Sequence, residues 1–150
     1  MNLIKIFNKK FNEQPEYKVS SGGRVEIIGN HTDHNHGLCC AATCNLTIDG
    51  YLKPRKDMKV NYVSLGFGTI EIELNGLKQR EDEKATSQGL IRGVARYLKN
   101  AGYKIGGFDI VTTSSIFPGA GVSSSAAYEL LIGQIFNVIF NNGKSRPLTN

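Results

Sequence analysis

The stretch PGAGVSSSAA, residues 118–127, decides how this chain is read. Glycine lets a backbone approach a ligand closely and take up angles that other residues avoid. Ser123, Ser124 and Ser125 then lead into the apolar run YELLIGQIFNVIF, which reads as a helix stopping at Asn141-Asn142-Gly143. Serines at a helix start can cap it, and they can also donate to an oxyanion. The helix start adds unpaired N–H groups and partial positive charge. Such a loop suits a polyanionic phosphate group, or it caps its helix and does nothing more. It is not a Walker A loop, because the lysine of GxxxxGK[ST] is absent. It does not fit GxGxxG either, since Ser124 stands at the third glycine position. Ser125 could place a hydroxyl on a metal bound to that phosphate. Further along, Glu129, Gly133 and Asn137 line one narrow face and the rest is largely apolar, so the helix is expected to be buried.

Upstream of the serines, FDIVTTS (108–114) reads as a strand. Before it, EDEK (81–84) precedes a helix from about Thr86 to Asn100, with Leu90, Ile91, Val94 and Leu98 as its apolar stripe and Asn100-Ala101-Gly102 as its stop. MKVNYVSL and TIEIEL read as two strands of a hairpin through Gly66-Phe67-Gly68. RVEIIG (24–29) and CCAATCNLTIDGYL (39–52) are two more extended segments, the second with Leu46, Ile48 and Leu52 on one face. A short amphipathic helix over 3–12, with Leu3, Ile4, Phe7 and Phe11 on one side, is expected to end at Pro15. Strands dominate the first half and helices the second, which predicts an α+β fold.

Between the two early strands lies GNHTDHNHG (29–37), with three histidines, two asparagines and an aspartate. It can bind a metal, bind a polar small molecule, or be a solvated turn. His31, His34, His36, Cys39, Cys40 and Cys44 offer six potential metal ligands. Yet Cys39 and Cys40 are adjacent, so in a strand they face opposite sides, and nothing matches the paired spacing of a structural zinc site. The cysteines are expected to be small buried apolar residues.

The whole chain, at 150 residues, is long enough for one domain with a real core. A net charge of +5 is mild and spread out, without the clustered stripe of a nucleic-acid surface. Three closely spaced cysteines suggest reduced thiols in a cytosolic protein rather than a secreted disulfide framework. Neither a signal-peptide core nor a membrane span is present in the sequence, so no membrane partner is expected.

GAGVSSSAA resembles the central phosphate-loop motif of the GHMP kinases, and GRVEIIGNHTDHNHG resembles the signature of their galactokinase family. FNKKFNEQPE resembles that family's N-terminal approach. The resemblance implies a ribosomal protein S5 domain 2-like fold, with residues 1–150 as a single N-terminal kinase domain and the C-terminal part of the family's chain absent. It implies ATP and Mg²⁺ as cofactors, galactose as substrate, and phosphorylation of the sugar's 1-hydroxyl. Arg24 matches the arginine that stabilises the transition state. Asn30, His31, Thr32 and Asp33 match the sugar-binding run. Gly119, Ala120, Gly121, Val122, Ser123, Ser124 and Ser125 match the ATP-phosphate loop, and Ser125 its magnesium ligand. Ser64 aligns with a serine near the nucleotide. The resemblance also implies a catalytic aspartate and a second acidic metal ligand well downstream of Ser125. The chain departs from the pattern at Asn30, where the family has Glu, at Glu26, where it has Asn, and at His34, where it has Tyr. Those departures motivate an alternative: a sugar- or nucleotide-binding sensor of the same fold that does no chemistry.

Overall fold

The computed structural model describes residues 2–29, 36–117 and 121–143. Helix α1 (Leu3–Phe11) begins where the Asn2 side-chain oxygen accepts hydrogen bonds from the N–H groups of Ile4 and Lys5, at 3.1 and 3.3 Å. Those bonds satisfy two donors that a helix start otherwise leaves open. Asn12, in the left-handed region at φ 55°, ends the helix, so the stop comes before Pro15. Leu3 and Phe7 are buried, while Ile4 turns outward and Ile6 packs in its place.

Five strands follow: β1 (Tyr17–Ile28), β2 (Cys40–Pro54), β3 (Lys59–Ser64), β4 (Gly68–Glu73) and β5 (Phe108–Ser114). They form one sheet in the order β1-β2-β5-β3-β4. The hairpin of β3 and β4 forms through Gly66-Phe67-Gly68, as read from the sequence. β5 enters between β2 and β3, antiparallel to the first and parallel to the second. A parallel neighbour needs a crossover, and here it carries helix α2 (Ser87–Asn100). Because both faces of β5 are covered, Phe108 to Thr112 are all buried.

Helices α2 and α3 (Ser124–Asn141) cover one face of the sheet, where Leu52, Tyr62, Phe108 and Ile110 meet Ile91, Leu131, Ile135 and Phe136. Helix α1 covers the other, on Val63 and Val111. This is the mixed-sheet α+β arrangement that the sequence predicts. The expectation that α3 is buried all round is corrected: Leu130 is 66% and Val138 50% exposed. Sheet and α2 contact only part of its circumference, and the outer side faces away from both.

In α2 the buried face is Ile91, Arg92 and Ala95, whereas Leu90, Val94 and Leu98 are only half-buried. Arg92 is 6% exposed. Its Nε and Nη2 donate to the two carboxylate oxygens of Glu83 at 2.6 and 2.8 Å. Its Nη1 donates to the carbonyls of Glu73, at 3.0 Å, and Gly76. One guanidinium thus fastens the segment between β4 and α2 to the helix, and all three of its nitrogens are satisfied. The Arg92 guanidinium holds the Glu83 carboxyl below its usual range.

A second charged cluster, Arg55, Asp57, Asn61 and Asp109, sits at the opposite end of β3 and β5 from Ser64 and Ser114. Arg55 donates to Asp109 at 2.9 and 3.0 Å and to Asp57 at 2.7 Å, and Asn61 donates to Asp109 at 2.6 Å. The Arg55 hydrogen bonds hold the Asp57 carboxyl at about 2. These groups are mutually paired and tie three strands together.

Candidate functional site

The serine-rich loop does not stand alone. The backbone N–H of Arg24 on β1 donates to the carbonyl of Val122 at 2.8 Å. At the neighbouring position, Gly23, a Cβ would lie 2.8 Å from that same carbonyl and 3.1 Å from the Cys44 sulfur. Glycine at 23 is therefore what permits the loop to dock against β1. Two segments a hundred residues apart in sequence meet at this bond. The Arg24 side chain is 39% exposed, and its Nη2 lies 3.8 Å from Glu26 Oε2.

Helix α3 starts abruptly. Ser123 occupies the cap position in the left-handed region (φ 55°, ψ 61°), and its side chain makes no capping hydrogen bond. The expectation that serine hydroxyls cap this helix is corrected: at this backbone angle the Ser123 hydroxyl makes no bond to the first turn. Ser124 and Ser125 are exposed. Among the described residues, the first N–H groups of α3 thus keep their partial positive charge without a capping side chain.

The start of α3 divides two hollows. On one side is a cavity of about 360 Å³, bordered by Ser64, Ser87, Ser114, Ser124, Ser125 and Tyr128. Its floor and walls include Ile48, Ile70 and Ile116. Among the described residues that line it, none is charged. The N-termini of α2 and α3 both open on it, through Thr86-Ser87 and Ser124-Ser125. Two helix dipole ends with no described carboxylate between them favour an anion. Ser64, from the end of β3, is brought into the same cavity as Ser124 and Ser125.

On the other side is a groove of about 880 Å³, where Gly23, Arg24 and Thr43 face Tyr97 of α2 and Glu129 and Leu130 of α3. Arg24 and Ser125 therefore border different hollows, joined at the Arg24–Val122 bond. Glu129, one helical turn beyond Ser125, lines the groove and not the cavity.

Asn30, His31, Thr32 and Asp33 lie outside the described residues, as do Gly119 and Ala120. Gly121, at φ 68°, and Val122 are described. The cysteine expectation is corrected: Cys39 and Cys40 are exposed and Cys44 is half-buried. The end of β2 that carries them reaches beyond the cover of the helices, and Cys40 to Thr43 are all exposed. Among the described residues, no three His, Cys, Asp or Glu side chains come together as a metal site. Nor is any described helix long and apolar enough to cross a membrane. Sequence reading missed Gly23, Thr86, Ser87 and Tyr128. Gly22-Gly23 before Arg24 was a visible sign of close approach, and Tyr128 lies four residues after Ser124, one turn along the same face.

Comparison with known proteins places both segments in matched regions. Residues 5–54 match the galactokinase galactose-binding signature, and residues 89–149 match the GHMP kinases N terminal domain. The galactokinase of Clostridium tetani (strain Massachusetts / E88) is 37% identical over 142 residues, covering 95% of this chain and 36% of its own length. That of Staphylococcus carnosus (strain TM300) is 37% identical over 139 residues, covering 90% and 35%. The chain thus spans little more than a third of the length of these curated relatives. The crystal structure of Lactococcus lactis galactokinase complexed with galactose superposes with a TM-score of 0.81 at 31% identity, over 96% of this chain and 38% of that one. Methanococcus jannaschii mevalonate kinase shares the fold, with a TM-score of 0.67 at 15% identity over 86% and 42%. With its two matched segments held together by the Arg24–Val122 bond, the chain is similar to the N-terminal portion of galactokinases and shares the fold of the GHMP kinase N-terminal domain.

Proposed function

We propose that residues 1–150 form the N-terminal domain of an ATP-dependent sugar kinase that, intact, phosphorylates the 1-hydroxyl of galactose. The observation that carries this is the docking of the serine loop on β1, which sets Arg24 beside the uncapped start of α3. The nucleotide's phosphates rest at the N–H groups and hydroxyls of residues 121–125, between the two hollows. Arg24 supplies fixed positive charge to the transferring phosphoryl group. Asn30, His31, Thr32 and Asp33 hold the sugar by hydrogen bonds that both donate and accept. Work of this kind is positioning and charge stabilisation.

Mg²⁺, when bound, would supply positive charge against the phosphates. Ser125, exposed at the α3 start, fits as one ligand of such an ion. No described carboxylate borders the cavity beside it, so among the described residues there Ser125 is the one that would hold the ion.

One observation favours the sensor reading: Glu26 lies 3.8 Å from Arg24, where its negative charge offsets the cation. Titration of the 150-residue chain with ATP·Mg²⁺ and with galactose, followed by a phosphorylation assay, tests both. Binding of each ligand without turnover is the expected result. Turnover by this chain alone would refute the claim that catalysis needs groups beyond it, and failure to bind ATP would refute the nucleotide site.

A further inference from the structure

Tyr128 follows Ser124 by four residues and borders the same cavity. Its ring packs edge-on against Tyr62, with centroids 5.1 Å apart and planes at 60°. The two phenols are treated differently by the fold. The Tyr62 hydroxyl is paired with Thr112 Oγ1 at 3.1 Å. The Tyr128 hydroxyl is shielded from solvent and has no hydrogen-bond partner among the described residues. Buried polar groups in folded proteins are rarely left this way, and each exception asks for a reason. The reason is not catalytic acid–base chemistry: burial pushes both phenols up, Tyr62 to about 12, so each stays a neutral O–H at physiological pH.

The surroundings point to a ligand. The serines nearest the α3 start suit phosphate, whereas Ile48, Ile70 and Ile116 give the same cavity an apolar part. At a rise of 1.5 Å per residue, Tyr128 lies about 6 Å beyond Ser124 along the helix. That distance passes the phosphates and reaches the part of a nucleotide that carries its apolar ring and its hydroxyls. We infer that Tyr128 hydrogen-bonds the nucleoside moiety of a nucleotide whose phosphates rest at Ser124 and Ser125, and so contributes to choosing which nucleotide binds. This rests on the nucleotide reading above. Because the ring itself borders the cavity, its hydroxyl meets the ligand through a side-chain adjustment of the size common on binding.

The test compares ATP with inorganic tripolyphosphate, which has no nucleoside, on the 150-residue chain by titration calorimetry. In Tyr128→Phe, ATP affinity falls by about threefold to tenfold while tripolyphosphate affinity is unchanged. The variant melts no lower than the parent, since it loses no protein hydrogen bond. Tyr128→Leu, which keeps an apolar side chain, reproduces the loss of ATP affinity at least in full. Repeating the comparison with GTP and with 2′-deoxy-ATP shows whether the base or the ribose receives the bond, because the effect of Tyr128→Phe vanishes for the nucleotide lacking that group. An unchanged ATP affinity in Tyr128→Phe overturns the inference, and so does an equal fall for ATP and tripolyphosphate. Parent protein that binds tripolyphosphate as tightly as ATP also overturns it, leaving the phosphate site standing. Parent protein that binds neither overturns the nucleotide reading and this inference with it.

Discussion

Helices α2 and α3 begin at the same cavity, and each begins with hydroxyl residues, yet the two starts are built differently. At α2, Thr86 Oγ1 accepts from the Gly89 N–H at 3.1 Å and donates to the Glu83 carbonyl at 2.6 Å. The segment before it is fastened by Arg92. At α3, Ser123 is in the left-handed region and gives the helix no side-chain bond. The first start carries a side-chain cap from within the protein. The second has no side-chain cap from Ser123, and the loop before it is joined to β1 by a backbone bond. Similar residues therefore serve two ends: at α2 they satisfy the helix, and at α3 they are left for something else to satisfy.

The largest expected effect is at the α2 start. Arg92→Leu strands Glu83 and two backbone carbonyls, and destabilises the chain by about 3–5 kcal/mol in denaturant unfolding. The Glu83 carboxyl is held below its usual range in the folded chain. The pair's contribution is therefore complete above the ordinary carboxylate pKa of about 4.3 and is lost as pH falls through the lowered value. The gap in stability between parent and variant should accordingly narrow in acid; a gap independent of pH would separate Arg92 from Glu83.

A smaller effect is expected where the α3 start is held from behind. Gly23→Ala places a Cβ against the Val122 carbonyl and shifts the loop, at a cost of about 1–3 kcal/mol in stability and with weaker binding of ATP and tripolyphosphate alike. Unaltered binding by calorimetry would mean that the loop does not need its dock. The smallest effects separate the two caps directly. Thr86→Ala costs about 1 kcal/mol, whereas Ser123→Ala changes stability by less than about 0.5 kcal/mol. Equal losses in thermal unfolding would erase the contrast between the two starts.

Much of the fold was legible because the pattern is local. β5 matches FDIVTTS residue for residue, and the hairpin turn falls on its two glycines, since both signals lie within a few residues. The serine loop and Arg24 were legible as separate motifs, but the bond between them was not, because it joins residues far apart in sequence. Arg92 was hidden for a related reason. On a helix it looks like a solvated cation, and only the return of Glu83 and the carbonyls of Glu73 and Gly76 makes its burial tolerable. The cysteines misled because strand composition says nothing about how far a strand runs past the helices that cover it. The Tyr128 hydroxyl carries no local signal in the sequence, and its lack of a partner among the described residues shows only when its neighbours are placed.

The central position of β5 sets an order on assembly. The strands before it can pair only as two separate ribbons, β1 with β2 and β3 with β4, and each offers an open edge to any passing strand. A ribosome must deliver residue 114 before the ribbons can be joined, so from the end of β4 at residue 73 to the end of β5 at residue 114 this domain exists as two halves waiting for their keystone.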